Sequence, residues 1–389
     1  MENATESNED VTMKPVTFEE LQSCQLSSWY PKFRSLNNSS DPSSSVKQYP
    51  NNNVTIRSII IPSLPENFIE YLKSDTIILP KGAKEVSSLL PTEDVDGGWS
   101  SDEDETDGNQ AQNSQEEAHF PELNRQIQDA IDKLGPCMPK LNWSAPKDVT
   151  WLNGSTLKCS TVGDVYLLLK SSDFCMFDLE HALDDIDMDG GRNDLDANAP
   201  LEYELILRKW SNLHASMEFR CFVSNHGLVG ICQRNHTQHY PHLKQEYMIM
   251  RALVMDFFDI NIRENFADKL VADYVFDVYV DKNERVWLID FNLWSTRTDA
   301  LMFTWKELVE FADECNQDHA NDGLEVINID NTKPNMRVVM NENEVHFDPL
   351  ASYRAPIDAV DLASDQAGSQ TFQEFMDMCA RPSELHSDE

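Results

Sequence analysis

The sequence is expected to fold as an α+β protein whose sheets are mainly antiparallel, and three observations lead to that class. Two strand-like runs in Asp273 to Trp294, rich in Val, Ile, Tyr, Phe and Trp, flank the polar cluster Asp281-Lys282-Asn283-Glu284-Arg285 and read as a β-hairpin. Met217 to Val223 alternates in polarity, and Gly227 to Cys232 supplies its return strand. Phe120 to Gly135 reads as a helix, with Pro121 in the first turn, Leu123, Ile127, Ile131 and Leu134 at helical spacing, and Gly135 as the stop. At 389 residues the chain is long enough for two or three domains.

In chain order, residues 1–53 open with a short amphipathic piece anchored by Phe18, Leu21, Leu26 and Trp29, followed by the Asn/Ser-rich stretch Asn37 to Asn53, expected to be loop or disorder. Residues 54–84 start the first lobe, with strands at Val54 to Pro62 and Thr76 to Pro80 around a helix from Pro65 to Ser74. Residues 85–118 form an acidic linker: no Lys or Arg occurs from Glu85 to Asn124, and Glu93 to Asp107 holds eight acids. The core, 119–345, continues with a strand at Pro139 to Asn142 that leaves into a proline-ended loop. An apolar segment of ambiguous type follows at Val162 to Ser171, and a strand runs from Glu202 to Trp210. Lys244 to Phe266 reads as a long helix, Ala300 to Val309 as another, and Val326 to Asp330 and Arg337 to Met340 as edge strands. An acidic insert, 184–200, interrupts the core, and the tail 346–389 is acidic with few apolar anchors.

The formal charge is -37, so the molecule as a whole repels nucleic acid and anionic membranes and suits basic partners or cations. No apolar run is long enough to span a bilayer and the start is not signal-like. Eight cysteines without a CxxC pair, several within apolar strands, read as buried thiols of a reducing compartment, and cytoplasmic residence is expected.

Two metal-like patterns are outweighed by plainer accounts. Asp185 to Asp196 imitates part of a calcium loop but has Asp196 where Glu belongs and Arg192 at a position usually apolar, so an acidic surface loop is expected. His236, His239 and His242 recur every third residue, yet Pro241 breaks the helical geometry that spacing would need. The hairpin carries more chemistry. A turn centred on Asn283-Glu284 sets Asp277 across from Asp290, and alternation brings Asn292 to the same face. Two carboxylates so close need a cation or a proton between them, and a hard divalent ion such as Mg²⁺ fits oxygen donors of this kind. A solvated pair on a wet sheet face is the bland alternative. Lys140, Arg208, Arg220 and Arg234 supply positive charge in an acidic chain, a set suited to a triphosphate bridged by Mg²⁺. Glycine-loop phosphate motifs are absent.

Pro139-Lys-Leu-Asn-Trp-Ser-Ala-Pro-Lys-Asp148, Leu207-Arg-Lys-Trp210, Glu218-Phe-Arg-Cys-Phe-Val223, Gln233-Arg234 with Thr237, and Val286-Trp-Leu-Ile-Asp-Phe-Asn292 closely resemble the cell division cycle protein 123 family, in consistent order over about residues 50–310. The resemblance implies a two-lobed ATP-grasp-like fold with a nucleotide cleft between the sheets. It also implies binding of ATP and Mg²⁺, and assembly of eukaryotic translation initiation factor 2 through its gamma subunit, in support of translation initiation and cell-cycle progression. By the same resemblance, Lys140, Asn142 and Ser144 belong to the phosphate-side strand and loop. Arg208, Lys209 and Trp210 form the adenine hinge, Arg220 and Arg234 hold phosphates, and Asp277, Asp290 and Asn292 bind metal. Asn235 stands where the family often has Asp, and Leu293 where it often has Pro. An ATP-grasp ligase, joining a carboxylate to an amine through an acyl phosphate, is the alternative, and an interaction protein with a vestigial site the third reading. No acceptor-binding signature is present, which weighs against an enzyme.

Overall fold

The computed structural model describes residues 13–34, 54–75, 78–83, 85–87, 118–187, 201–266, 271–321, 334–347 and 350–351. The Asn/Ser-rich stretch, most of the acidic linker, the calcium-like loop from residue 188 on, the Val326 to Asp330 strand, Thr76-Ile77 and the tail from residue 352 lie outside the described residues.

The elements are β1 (Val16–Thr17), α1 (Phe18–Ser23), α2 (Leu26–Arg34), β2 (Ser58–Ile61), α3 (Glu66–Lys73), α4 (Pro121–Leu134), β3 (Cys137–Lys140), α5 (Val162–Ser171), α6 (Asp173–His181), β4 (Ile186–Asp187), β5 (Leu205–Lys209), β6 (Glu218–Ser224), β7 (Gly227–Gln233), α7 (Leu243–Phe257), β8 (Tyr274–Val280), β9 (Val286–Leu293), α8 (Trp305–Asn321) and β10 (Asn335–Arg337). Between its named strands only the short β1–β4 and β10–β7 pairings are parallel; the others are antiparallel, so the expected α+β class is the observed one. The chain divides into two compact units, the first made of Met1–Arg57, Leu183–Leu201 and Ser211–Pro349, the second of Ser58–Ala182, Glu202–Trp210 and Leu350–Glu389.

The first unit is built on a five-stranded sheet in the order β10-β7-β6-β8-β9. Its two faces are read from alternation. On one, Phe276 and Phe291 pair across β8 and β9, and Phe291 packs against Trp29 and Phe33 of α2 at ring distances of 5.3 and 5.5 Å and against Phe266 at 3.7 Å. On the other, Phe222 and Val275 are sealed by Phe303, Trp305 and Leu308. Gly230 lets this layer approach, because a Cβ there would come within 3.2 Å of Leu308 and 3.3 Å of Phe303. Two residues further along the same face the apolar cover gives way to the Arg220–Asp277–Asp290 row. The long helix expected over Lys244 to Phe266 instead ends at Phe257 and continues as a π turn, Phe258–Ile262, closed by Arg263 N–H to the Phe258 carbonyl. Likewise α8 begins at Trp305, five residues later than the sequence suggests, after Thr304 and Glu307 close its first turn by exchanging hydrogen bonds.

The second unit carries the sheet β2-β5-β3, with Cys159 paired to Cys137 beyond β3. The ambiguous segment Val162–Ser171 is α5: Thr161 and Asp164 form a capping box at its start, and every residue from Val162 to Lys170 is buried. Ala83 and Glu85 lie directly on that helix start, where a Cβ on Gly163 would collide with both of their carbonyl oxygens. Lys170, also buried, caps the end of α3 by donating to the carbonyls of Tyr71, Leu72 and Ser74. Among the described residues no helix is long and apolar enough to cross a membrane.

Candidate functional site

The hairpin β8–β9 places Asp277 against Asp290, as the sequence suggests, but by a different route. The turn is centred on Asn283, because the Asp281 carboxylate accepts the N–H groups of both Asn283 and Arg285 and sets a five-residue loop. From there Val280 faces Val286 and Val278 faces Leu288; a bulge then leaves Ile289 unpaired and restores the Asp277–Asp290 pair. Asn292 follows on the same face.

Strand β6 supplies the counter-charge. Arg220 faces Asp277 across the β6–β8 ladder, and both are buried. Its Nε donates to Oδ1 of Asp277 at 2.8 Å, its Nη2 to Oδ2 at 2.9 Å, and its Nη1 to the Asp299 carbonyl at 2.8 Å. Burial alone would favour a neutral Arg220, yet the charge of Asp277 prevails and holds the guanidinium above its ordinary pKa. Arg234 is less constrained, one quarter exposed, donating through Nε to Oδ2 of Asp277 at 3.1 Å and lying 3.6 Å from Glu218. The Asn292 amide completes the set at 3.5 Å from Oδ2. Glu218 and Arg220, which alternation puts on one face, therefore serve different partners.

The residue types fit a hard cation shared with a phosphate. Among the described residues no group of three or more His, Cys, Asp or Glu side chains stands close enough to hold a metal alone. Two carboxylates and an amide oxygen leave positions for phosphate and water, which is how Mg²⁺ is usually held at nucleotide sites. A carboxylate offers about four acceptor positions, and Asp277 already receives three N–H bonds from the two arginines plus the long amide contact. The 3.1 Å Arg234 bond and the 3.5 Å Asn292 contact are the ones a cation would replace.

The remaining candidates lie in the second unit. Lys140 ends β3 fully buried, with its charge drawing the pKa of Asp178 downward against the effect of burial. Asn142 is wholly buried and its amide is committed to the backbone, donating to the Glu202 carbonyl and accepting from Glu204 N–H. Ser144 gives its N–H and its hydroxyl to the Asp178 carboxylate at 2.7 and 2.8 Å, and Trp143 N–H adds a third bond. Burial outweighs these donors and pushes Asp178 up to about 6. Asp178 is thus the anchor of the 142–144 loop, and no spacing in the sequence advertises it: it sits on α6, 34 positions after Ser144. Arg208 is buried in the middle of the three-stranded sheet, between Ser58 and Met138, and Lys209 is exposed. Trp210 N–H donates to the Pro136 carbonyl. Back in the first unit, Asn235 bonds Tyr240 and Thr237. His236 packs its ring 5.4 Å from His346, in an aromatic contact and no metal group.

Fold and site together define an α+β protein with a polar row of carboxylates and guanidiniums on one face of a mainly antiparallel sheet. The D123 family model matches residues 46–363, most of the chain. The chain belongs to the D123 family. It is similar to the translation initiation factor eIF2 assembly protein of Xenopus tropicalis, 37% identical over 359 residues and covering 90% of this chain and 93% of that one. It is also similar to cell division cycle protein 123 of Aspergillus terreus, 38% identical over 327 residues, covering 82% and 69% of the two chains. Among solved structures, Cdc123 from Schizosaccharomyces pombe superposes with a TM-score of 0.55 at 32% identity, over 77% of this chain and 94% of that one.

Proposed function

We propose that this protein is an ATP- and Mg²⁺-binding assembly factor for translation initiation factor eIF2, acting in the cytoplasm on the gamma subunit to promote formation of the heterotrimer. The assembly role follows that of similar family members known as eIF2 assembly proteins, among them the Xenopus tropicalis protein. The observation that carries the nucleotide reading is the Asp277–Asp290–Asn292 row with Arg220 and Arg234 beside it. Asp277, Asp290 and Asn292 would hold the metal, which would supply positive charge to offset that of the phosphates. Arg220 fixes the Asp277 carboxylate in place. Arg234, the more exposed guanidinium and the more weakly held partner of Asp277, is the one that would turn to a phosphate oxygen.

The family resemblance adds Lys140, Asn142, Ser144, Arg208, Lys209 and Trp210 to the residues proposed to contact the nucleotide. The commitments of Asn142 and Ser144 to the backbone and to Asp178 give them a shaping role, which leaves direct phosphate contact to charged groups. Purified chain should bind ATP only with Mg²⁺ present and should capture the gamma subunit of eIF2 more strongly with ATP than without. Capture of eIF2 that is indifferent to ATP and Mg²⁺ would leave an interaction protein. Release of ADP or phosphate coupled to a new amide would mark a ligase.

A further inference from the structure

Cys137 and Cys159 face each other in the second unit as a bridge beyond the edge of β3. Cys137 N–H donates to the Cys159 carbonyl at 2.9 Å and Cys159 N–H returns the bond to Cys137 at 2.7 Å. This exchange defines a hydrogen-bonded antiparallel pair, whose Cα atoms stand about 5.5 Å apart with both side chains on one face. Disulfides have Cα separations of about 4.4–6.8 Å, centred near this value. The Cβ separation of such a pair, about 4.5–5.5 Å, lies at or just above the disulfide range of about 3.5–4.5 Å, so closing the bond draws the two strands together. A bond closed against such resistance is more easily reduced than a relaxed structural one. Both cysteines are free and completely buried.

We propose that Cys137 and Cys159 form a gated dithiol: a peroxide reaching them through local opening of the 154–160 segment joins them as a disulfide, and thiol reductants reverse it. One thiolate attacks the peroxide oxygen and becomes a sulfenic acid as the first water leaves. The second thiol attacks that sulfur, the S–O bond breaks and the second water leaves, so two hydrogens and two electrons pass from the pair to the peroxide. Gating follows from the surroundings. Burial pushes Cys137 up to about 12, and burial first and the Cys137 sulfur next hold Cys159 well above the usual thiol range. The closed pair is therefore almost entirely protonated and unreactive at neutral pH. Opening is short in reach, because Lys158 and Ser160 on either side of Cys159 are exposed. The proposal is independent of the nucleotide reading.

The test uses the full chain, exposed to hydrogen peroxide under native conditions, alkylated in denaturant and digested for mass spectrometry. A linked peptide pair joining Cys137 to Cys159, lighter by two hydrogens than the free peptides and separated by dithiothreitol, is the expected result. Its formation should speed several-fold in urea below the unfolding transition. In Cys159→Ala, which empties little space on a short loop, Cys137 should remain alkylatable after the same exposure. Full alkylation of both cysteines in the unsubstituted chain, separate oxidation of each to sulfinic acid, or a linkage rate indifferent to urea would overturn the proposal.

Discussion

Asp277 takes two N–H bonds from Arg220 and one from Arg234, and the two arginines differ in what they lose by leaving it. Removing Arg220 strands a buried carboxylate, a change that costs about 3–5 kcal/mol in comparable buried pairs. Arg220→Ala should therefore lower the denaturant midpoint strongly at unchanged m-value, while Arg234→Ala, removing a partly exposed second partner, should cost about 1 kcal/mol. Equal losses in urea titrations would contradict this division of labour. Asp178 offers a pH test. With its ordinary value of 3.8 raised to about 6 in the fold, the folded state binds the extra proton between those limits. Its contribution to stability is thus present below about pH 4 and lost as pH rises through 6, by about 3 kcal/mol. Asp178→Asn should gain stability relative to the unsubstituted chain over that window, and a difference constant in pH would refute the assignment. Asp277, Asp290 and Asn292 are legible in the sequence because one hairpin holds all three. Arg220 as the partner of Asp277 is not, since they lie 57 positions apart and only sheet order joins them.

Among the elements, the bulge at Ile289 decides which side chains reach the site. It absorbs the extra residue left by a loop centred on Asn283, keeping Asp290 and Asn292 on the polar face and Phe291 in the core. Phe291 is the hub on that reverse face, touching Trp29, Phe33, Phe266, Tyr274 and Phe276. Phe291→Ala should cost about 3–5 kcal/mol in chemical denaturation, and a loss under about 1 kcal/mol would show that the strand is held by its ladder alone. The helix α4 is legible from sequence because Pro121, a one-sided apolar stripe and Gly135 punctuate it. By contrast α5 hides its type, being mostly apolar and buried from Val162 to Lys170, so no amphipathic period survives. The turn centre of the hairpin was likewise masked: the pattern of Val, Ile and Trp reports a strand pair but not the Asp281 carboxylate that shapes the loop.

For the whole molecule, a formal charge of -37 repels anions, and an anionic nucleotide needs a local reversal of that field. The guanidiniums of Arg220 and Arg234 and the proposed metal supply it. The same charge should draw a basic protein surface, so capture of eIF2 by this chain is expected to weaken as salt rises from about 50 to about 300 mM, through exposed charge pairs a Debye length apart or more. Capture unaffected by salt would place the contact on apolar surface instead. The most direct test of the central claim is calorimetric titration of ATP into the purified chain and into Asp290→Ala, with and without Mg²⁺, each protein first shown to be folded. The account predicts Mg²⁺-dependent binding in the unsubstituted chain and a loss of at least about tenfold, or about 1.4 kcal/mol, in Asp290→Ala. A folded Asp290→Ala that binds Mg²⁺ and ATP with unchanged affinity would contradict it.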